Sequence, residues 1–292
     1  MRQFRVFLLA LLTILFAACE KPILTGEELS SSSPKTSLRL SVYQLEQTPF
    51  SLFTRAAPSE ICERLNFAVY DMDGSRQKQI NQKVGDSDFG TANFDLPVGN
   101  YQLVALAHSS SSNPTMTNPA KIQFSNAQGY SDTFLYYGTI TIGDEPQTLA
   151  LSLQRIVALC RFVVSDAIPE GVARIEFTYK GGSGHFDAKT GLGVTKSTQV
   201  MKFDVEVGKE QTQYDLYTFL HNIEDTIHLA VIACDAAGNP LYEREFDVPM
   251  EQNKVTWFTG DFFTGEIPTT SQSITNIVTI DNTWNGEQHL TY

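Results

Sequence analysis

Ser75-Arg76-Gln77-Lys78 sets a hydroxyl and an amine at Ser-x-x-Lys spacing, and Lys189-Thr190-Gly191 supplies a second fragment of the same acylation chemistry. That chemistry needs the serine at the start of a helix, where the lysine one turn later reaches its hydroxyl. Ser75 instead follows the turn signal Asp73-Gly74 in strand-rich sequence, and no Ser-Asp-Asn completes the set. Gly181-Gly182-Ser183-Gly184 has the glycine content of a phosphate cradle but lacks a following Gly-Lys-Ser/Thr and helix, so it reads as a flexible hairpin loop. Asp71 with Asp73, and Asp86 with Asp88, offer the hard oxygens that calcium takes, without the Asp-x-Asp-x-Asp-Gly spacing and distal Glu of a calcium loop. They read as solvated turn acids. His108, His185, His221, His228 and His289 are scattered without ligand spacing. Trp257 lies in the apolar stretch Val255-Thr256-Trp257-Phe258 and suits a core, whereas Trp284 keeps open a stacking platform for a sugar. No catalytic, metal or cofactor site emerges, and the expectation is a non-enzyme.

The elements that must position these residues are strands. Leu38, Leu40 and Val42 alternate with polar residues, and the sets Leu65-Phe67-Val69, Leu149-Leu151-Leu153, Ile175-Phe177-Tyr179 and Ile227-Leu229-Val231-Ala233 repeat the period of two. Alternation sends one set of side chains to one face, to be buried against a second sheet. Asp73-Gly74, Val98-Gly99-Asn100, Gly181-Gly182 and Gly238-Asn239-Pro240 punctuate the runs. No stretch keeps apolar residues at three-four spacing over three turns. The pattern predicts an all-β fold of antiparallel sandwiches.

Cys62, Cys160 and Cys234 each sit in or beside an apolar strand-like run, where free cysteine is a small core residue. Whether Cys160 and Cys234 pair is left open, because spacing does not decide it. Cys19 is different. Arg2 and Arg5 precede an apolar core over residues 6–16, interrupted only by Thr13, and Phe16-Ala17-Ala18-Cys19 closes it. This is a secretory signal over residues 1–18 with a small-residue cleavage site. At about 13 residues the run is shorter than the about 20 that cross a bilayer. The cysteine at the cut resembles the lipobox of bacterial lipoproteins, which implies acylation of Cys19 and stable anchoring by two or more chains.

Residues 19–37 contain Pro22, Gly26, Ser30 to Ser33 and Pro34, a polar tether. Fully extended, it spans about 60 Å at about 3.3 Å per residue. The remaining length suits two domains, and 42% hydrophobic content with 19 Phe supports packed cores rather than disorder. The net charge of −12, without a basic stripe, excludes nucleic acid as a partner. Residues 148–165 run without a central turn, and a junction near Gln154 divides an N-terminal sandwich (38–153) from a C-terminal one (154–265). Val69-Tyr70-Asp71-Met72-Asp73-Gly74 is echoed by Ala233-Cys234-Asp235-Ala236-Ala237-Gly238, and Phe94-Asp95-Leu96-Pro97-Val98 by Phe246-Asp247-Val248-Pro249-Met250, as if the two halves share a plan. In the tail, residues 266–292, the segment 274–280 has strand character and no evident partner, so it is either an edge strand or an arm for another chain.

With Thr54-Arg55-Ala56, Leu65-Asn66-Phe67-Ala68-Val69-Tyr70-Asp71-Met72-Asp73-Gly74, Leu96-Pro97-Val98-Gly99-Asn100-Tyr101, and Val248-Pro249-Met250-Glu251-Gln252-Asn253-Lys254 leading to Phe258-Thr259-Gly260, the chain resembles the fimbrillin superfamily of type V pili. Within it, the resemblance is to FimB-like minor subunits that anchor a fimbria in the outer membrane. The resemblance implies two tandem transthyretin-like β-sandwiches and a lipid-anchored, surface-exposed location in a fimbrium. Its implied partners are the outer membrane through Cys19, neighbouring fimbrial subunits, and host or bacterial surface ligands. It also implies a donor strand carrying Ile274, Ile277, Val278 and Ile280. In shaft and tip pilins of that family an arginine-specific protease trims the N-terminus, which points to Arg55-Ala56 here, with Arg39 as a second site. Anchors keep their lipid. Two other readings stay open: a shaft or tip pilin cut after Arg55, and a surface lipoprotein that binds glycans or host ligand.

Overall fold

The computed structural model describes residues 35–46, 58–125, 129–265 and 287–292. In chain order, β1 (Lys35–Glu46) and a short helix α1 (Pro58–Ile61) precede β2 (Arg64–Tyr70), β3 (Arg76–Lys83), β4 (Thr91–Pro97), β5 (Gly99–His108) and β6 (Ile122–Gln123). There follow β7 (Thr133–Ile142), β8 (Gln147–Arg155), β9 (Ala158–Val164), β10 (Arg174–Lys180), β11 (His185–Phe186) and β12 (Gln199–Asp204). The last five are β13 (Thr212–Thr218), β14 (Glu224–Cys234), β15 (Pro240–Glu251), β16 (Val255–Gly260) and β17 (Glu287–Thr291). The protein is an all-β sandwich fold, as the period-two patterning predicts.

β1 to β5, β7 and β8 form one seven-stranded sheet in the order β3-β2-β5-β7-β8-β1-β4. β7 and β8 pair only through Phe134 with Arg155 and Leu135 with Gln154. That short corner lets the sheet fold over on itself, so β3-β2-β5-β7 faces β8-β1-β4 across a core of Leu38, Leu40, Phe67, Phe94, Leu103 and Leu151. A second core fills the space between the sheets β12-β10-β14-β15 and β13-β9-β16-β17, around Phe162, Phe177, Leu229 and Phe258. The chain passes from the first sheet to the second at Ile156-Val157, where β8 ends and β9 begins.

A third core joins the two bodies. Ala68, Tyr70, Val104 and Leu106, on the outer face of β2 and β5, pack with Leu159, Val255, Phe186 and Phe219. β2 is therefore buried on both faces, and Asn66, Ala68 and Tyr70 are as inaccessible as Leu65, Phe67 and Val69. Alternation alone assigns that second face to solvent; the central layer has none. A two-stranded sheet of β6 and β11, drawn from the two halves of the chain, closes one side of this joint. Gln252 Nε2 ties the other, donating to Ile156 O at 3.0 Å and Gly191 O at 3.1 Å.

The repeated Asp-Gly motif is one structure built twice. Asp71 Oδ1 accepts the N–H groups of Asp73 (3.0 Å) and Ser75 (2.8 Å), and Asp235 Oδ1 those of Ala237 (2.9 Å) and Asn239 (2.8 Å). Gly74 and Gly238 close the turns at φ +84° and +88°, a conformation glycine adopts without a Cβ clash. The second echo is not equivalent. β4 pairs with β1, whereas the matching part of β15 pairs with β14.

Candidate functional site

The fragments with catalytic spacing are turns and strand surfaces. Ser75 ends the Asp71 turn and Lys78 lies exposed in β3, opposite Val69, so no helix brings hydroxyl and amine together. Lys189-Thr190-Gly191 is a tight turn on Asp187, whose Oδ1 accepts the Lys189 N–H at 2.9 Å. Asp86 Oδ2 accepts the Lys83 N–H, a turn role. Among the described residues no three His, Cys, Asp or Glu converge as a metal-holding group. Cys62, Cys160 and Cys234 are free and buried, and burial drives the Cys160 thiol far above its ordinary range.

Gly181 to Gly184 corrects the expectation of a flexible loop. Ser183 is fully buried, and its Oγ donates to His185 O at 2.6 Å. A Cβ on Gly181 would sit 2.8 Å from Thr226 O, and one on Gly182 or Gly184 would overlap Thr218 Oγ1 or Tyr130 Oη. These glycines are there for close packing. Trp257 packs against the joint, with the Arg161 guanidinium 4.8 Å from its ring and the His289 ring stacked at 5.6 Å and 8°. Covered in this way, it offers no platform for a sugar.

At its two ends the fold places an interior strand, β1, and an edge strand, β17. β1 lies between β8, to which it is parallel, and β4, to which it is antiparallel. It sends Leu38, Leu40, Val42 and Leu45 into the core, and each such side chain contributes about 1.5–3 kcal/mol of burial. Arg39, one of two arginines considered for processing, is bonded on both sides of this ladder, opposite Asn93 and Thr148. A protease reaches that peptide only if β1 detaches.

β17 lies at the other end, parallel to β16, as the edge of its sheet. The turn before the tail is pinned by Asp166, whose carboxylate accepts the N–H groups of Phe262 (2.9 Å), Phe263 (2.8 Å) and Thr264 (2.7 Å). On one face of β17, Glu287 and His289 bond at 3.1 Å. On the other, Leu290 enters the core and the partly buried Tyr292 packs against it. The Tyr292 ring stacks on Phe162 at 4.9 Å and Phe258 at 5.0 Å. Sequence reasoning misses this strand, because Leu290 and Tyr292 make too short an alternation at the chain end to register as one. Cys19, Arg55, Ala56, Ile274, Ile277, Val278, Ile280 and Trp284 lie outside the described residues.

No curated protein matches the chain. Among solved structures, a candidate adhesin from Bacteroides ovatus is similar at a TM-score of 0.52 and 15% identity, over 74% of this chain and 83% of that one. The fimbrial anchor protein Mfa2 from Porphyromonas gingivalis gives a TM-score of 0.41 at 14% identity, over 72% and 82%. A fimbrial assembly protein from Parabacteroides distasonis gives 0.38 at 13%, over 77% and 90%. The first of these establishes a shared fold. A family model described as "Family of unknown function (DUF6562)" matches residues 31–291, and the chain therefore belongs to that family.

Proposed function

We propose that the protein is a non-catalytic, fimbrial or adhesin-like structural subunit of the cell surface. It is held in the outer membrane through lipid on Cys19 and joined to neighbouring subunits by strand exchange. The observation that carries this reading is the placement of β1, an interior strand contributed by the segment between Cys19 and Arg55. While that segment is intact the first sandwich is closed, and the chain leads directly to the tether. This is the arrangement an anchor needs.

The same placement gives the alternative its physical meaning. Cleavage after Arg55 frees β1 to leave, opening a groove between β8 and β4 with pockets at the positions of Leu38, Leu40 and Val42. An incoming strand regains the main-chain bonds and fills alternate pockets. Val278 and Ile280 have the required two-residue spacing. A head-to-tail contact of this type propagates a filament. An anchor uses only its donor end; a shaft or tip pilin also opens this groove.

The test is incorporation into sheared fimbriae. Val278→Asp with Ile280→Asp, which leaves β17 in place, is expected to remove the protein from the fimbrial fraction while it stays on the cell. Incorporation at the wild-type level contradicts strand donation by residues 274–280.

A further inference from the structure

Beside the β6-β11 sheet, at the joint between the two halves, lies an open cleft of about 390 Å³. Its floor is a polar row running across β6, β11 and the bridged segment at Thr115. Thr115 bridges to Gln123, and Gln123 is directly opposite His185. Asn113, Ser197 and Tyr130 complete the wall. The reverse face of the same strands carries Ile122 and Phe186 into the third core, so the polar row is held on a packed support.

Several of these groups are fixed before any ligand arrives. Thr195 Oγ1 lies 2.7 Å from His185 Nδ1, and the Thr195 N–H donates to Ser183 Oγ at 3.2 Å. Asn113 Oδ1 accepts from Asn66 Nδ2 at 3.0 Å and Arg64 Nη1 at 3.3 Å. Ser197 Oγ accepts from Gln199 Nε2 at 3.4 Å. No Asp, Glu, Lys or Arg lines the cleft, and burial with nearby Lys121 holds His185 below its usual range.

We infer that this cleft binds a neutral saccharide of about disaccharide size. The volume falls in the range of small-ligand sites, about 300–1,000 Å³. Amide, hydroxyl and imidazole groups supply both donors and acceptors, as adjacent sugar hydroxyls require. An anionic ligand finds no ion pair among the lining residues. A peptide adding as a strand finds no open edge at β6, which is bonded to Thr115 on one side and His185 on the other. This site is independent of strand exchange, so failure of either leaves the other standing.

The test is calorimetric titration of the purified full-length chain at neutral pH with lactose, cellobiose, maltose and diacetylchitobiose, and with glucuronic acid as the charged comparison. At least one neutral disaccharide is expected to bind with a Kd of about 1 mM or tighter. Gln123→Ala and Thr115→Trp, both at exposed positions, are each expected to weaken it at least tenfold without lowering the melting temperature. The inference is overturned if no neutral disaccharide binds at about 10 mM, ten times that Kd. It is equally overturned if glucuronic acid binds more tightly, or if both variants bind like the wild type.

Discussion

Tyr292 Oη donates to the Val163 carbonyl at 3.0 Å, fastening the last residue of the chain to β9 beyond the intervening strand β16. Its ring is stacked on Phe162 and Phe258 and tilted against Phe246. The terminal strand is thus a core element of the second sandwich. Tyr292→Ala should lower stability by about 3–5 kcal/mol, as for other large-to-small aromatic changes. Tyr292→Phe, losing only the hydrogen bond, should cost about 1 kcal/mol. Urea denaturation of the two variants reads the difference; equal small effects would place β17 outside the folded core.

Arg155 closes the corner where β8 leaves the first sheet. It is 5% exposed, bonds both oxygens of Asp132 at 2.7 and 2.8 Å, and reaches Asn253 Oδ1 across the joint at 3.3 Å. Arg155→Met leaves the Asp132 carboxylate without its partner and should cost about 3–5 kcal/mol. Adding Asp132→Leu should recover much of the loss, because the unpaired charge is gone. Guanidinium midpoints of the single and double variants check this.

His108 sets a pH window. Its Nδ1 accepts the Ser110 N–H, so the proton resides on Nε2 and points at Asn66 Oδ1, 2.8 Å away. Burial, aided by Arg64, pushes its pKa down to about 3. Between the unfolded value near 6.5 and that folded value, the unfolded chain binds a proton that the folded chain refuses. Stability contributed by the neutral ring is complete above about pH 6.5 and falls with pH by up to about 1.4 kcal/mol per unit. The stability gap between wild type and His108→Gln should therefore shrink from pH 7 to pH 4. A constant gap would mean that His108 protonates normally in the fold.

Mild digestion of the folded protein with an arginine-specific protease should yield a chain starting at Ala56 and none starting at Leu40. The Arg39 peptide is bonded to two neighbouring strands, and cutting it requires β1 to come away. Terminal sequencing distinguishes the two; a Leu40 start would show that β1 is only loosely held.

Much of the architecture is legible in the sequence because burial on one face of a strand leaves a period of two, as in Leu38-Leu40-Val42. The Asp71 and Asp235 turns are legible because a carboxylate and a glycine must fall at fixed offsets. The joint is not. Ala68, Tyr70, Val104 and Leu106 belong to a face covered only by residues far along the chain, such as Leu159 and Phe219. The Gly181-Gly182-Ser183-Gly184 segment misleads for the same reason, since close approach by Thr218, Thr226 and Tyr130 is a tertiary fact. The cleft escapes notice because His185 joins Thr115 and Gln123 only through pairing between short segments far apart in the chain.

The central claim, that the protein keeps the segment linking Cys19 to its first sandwich, is tested most directly by intact-mass analysis of the cell-associated protein. A chain beginning at Cys19 and carrying acyl groups on it is expected. A chain beginning at Ala56 would contradict it, making the protein a processed pilin whose first sandwich has lost β1.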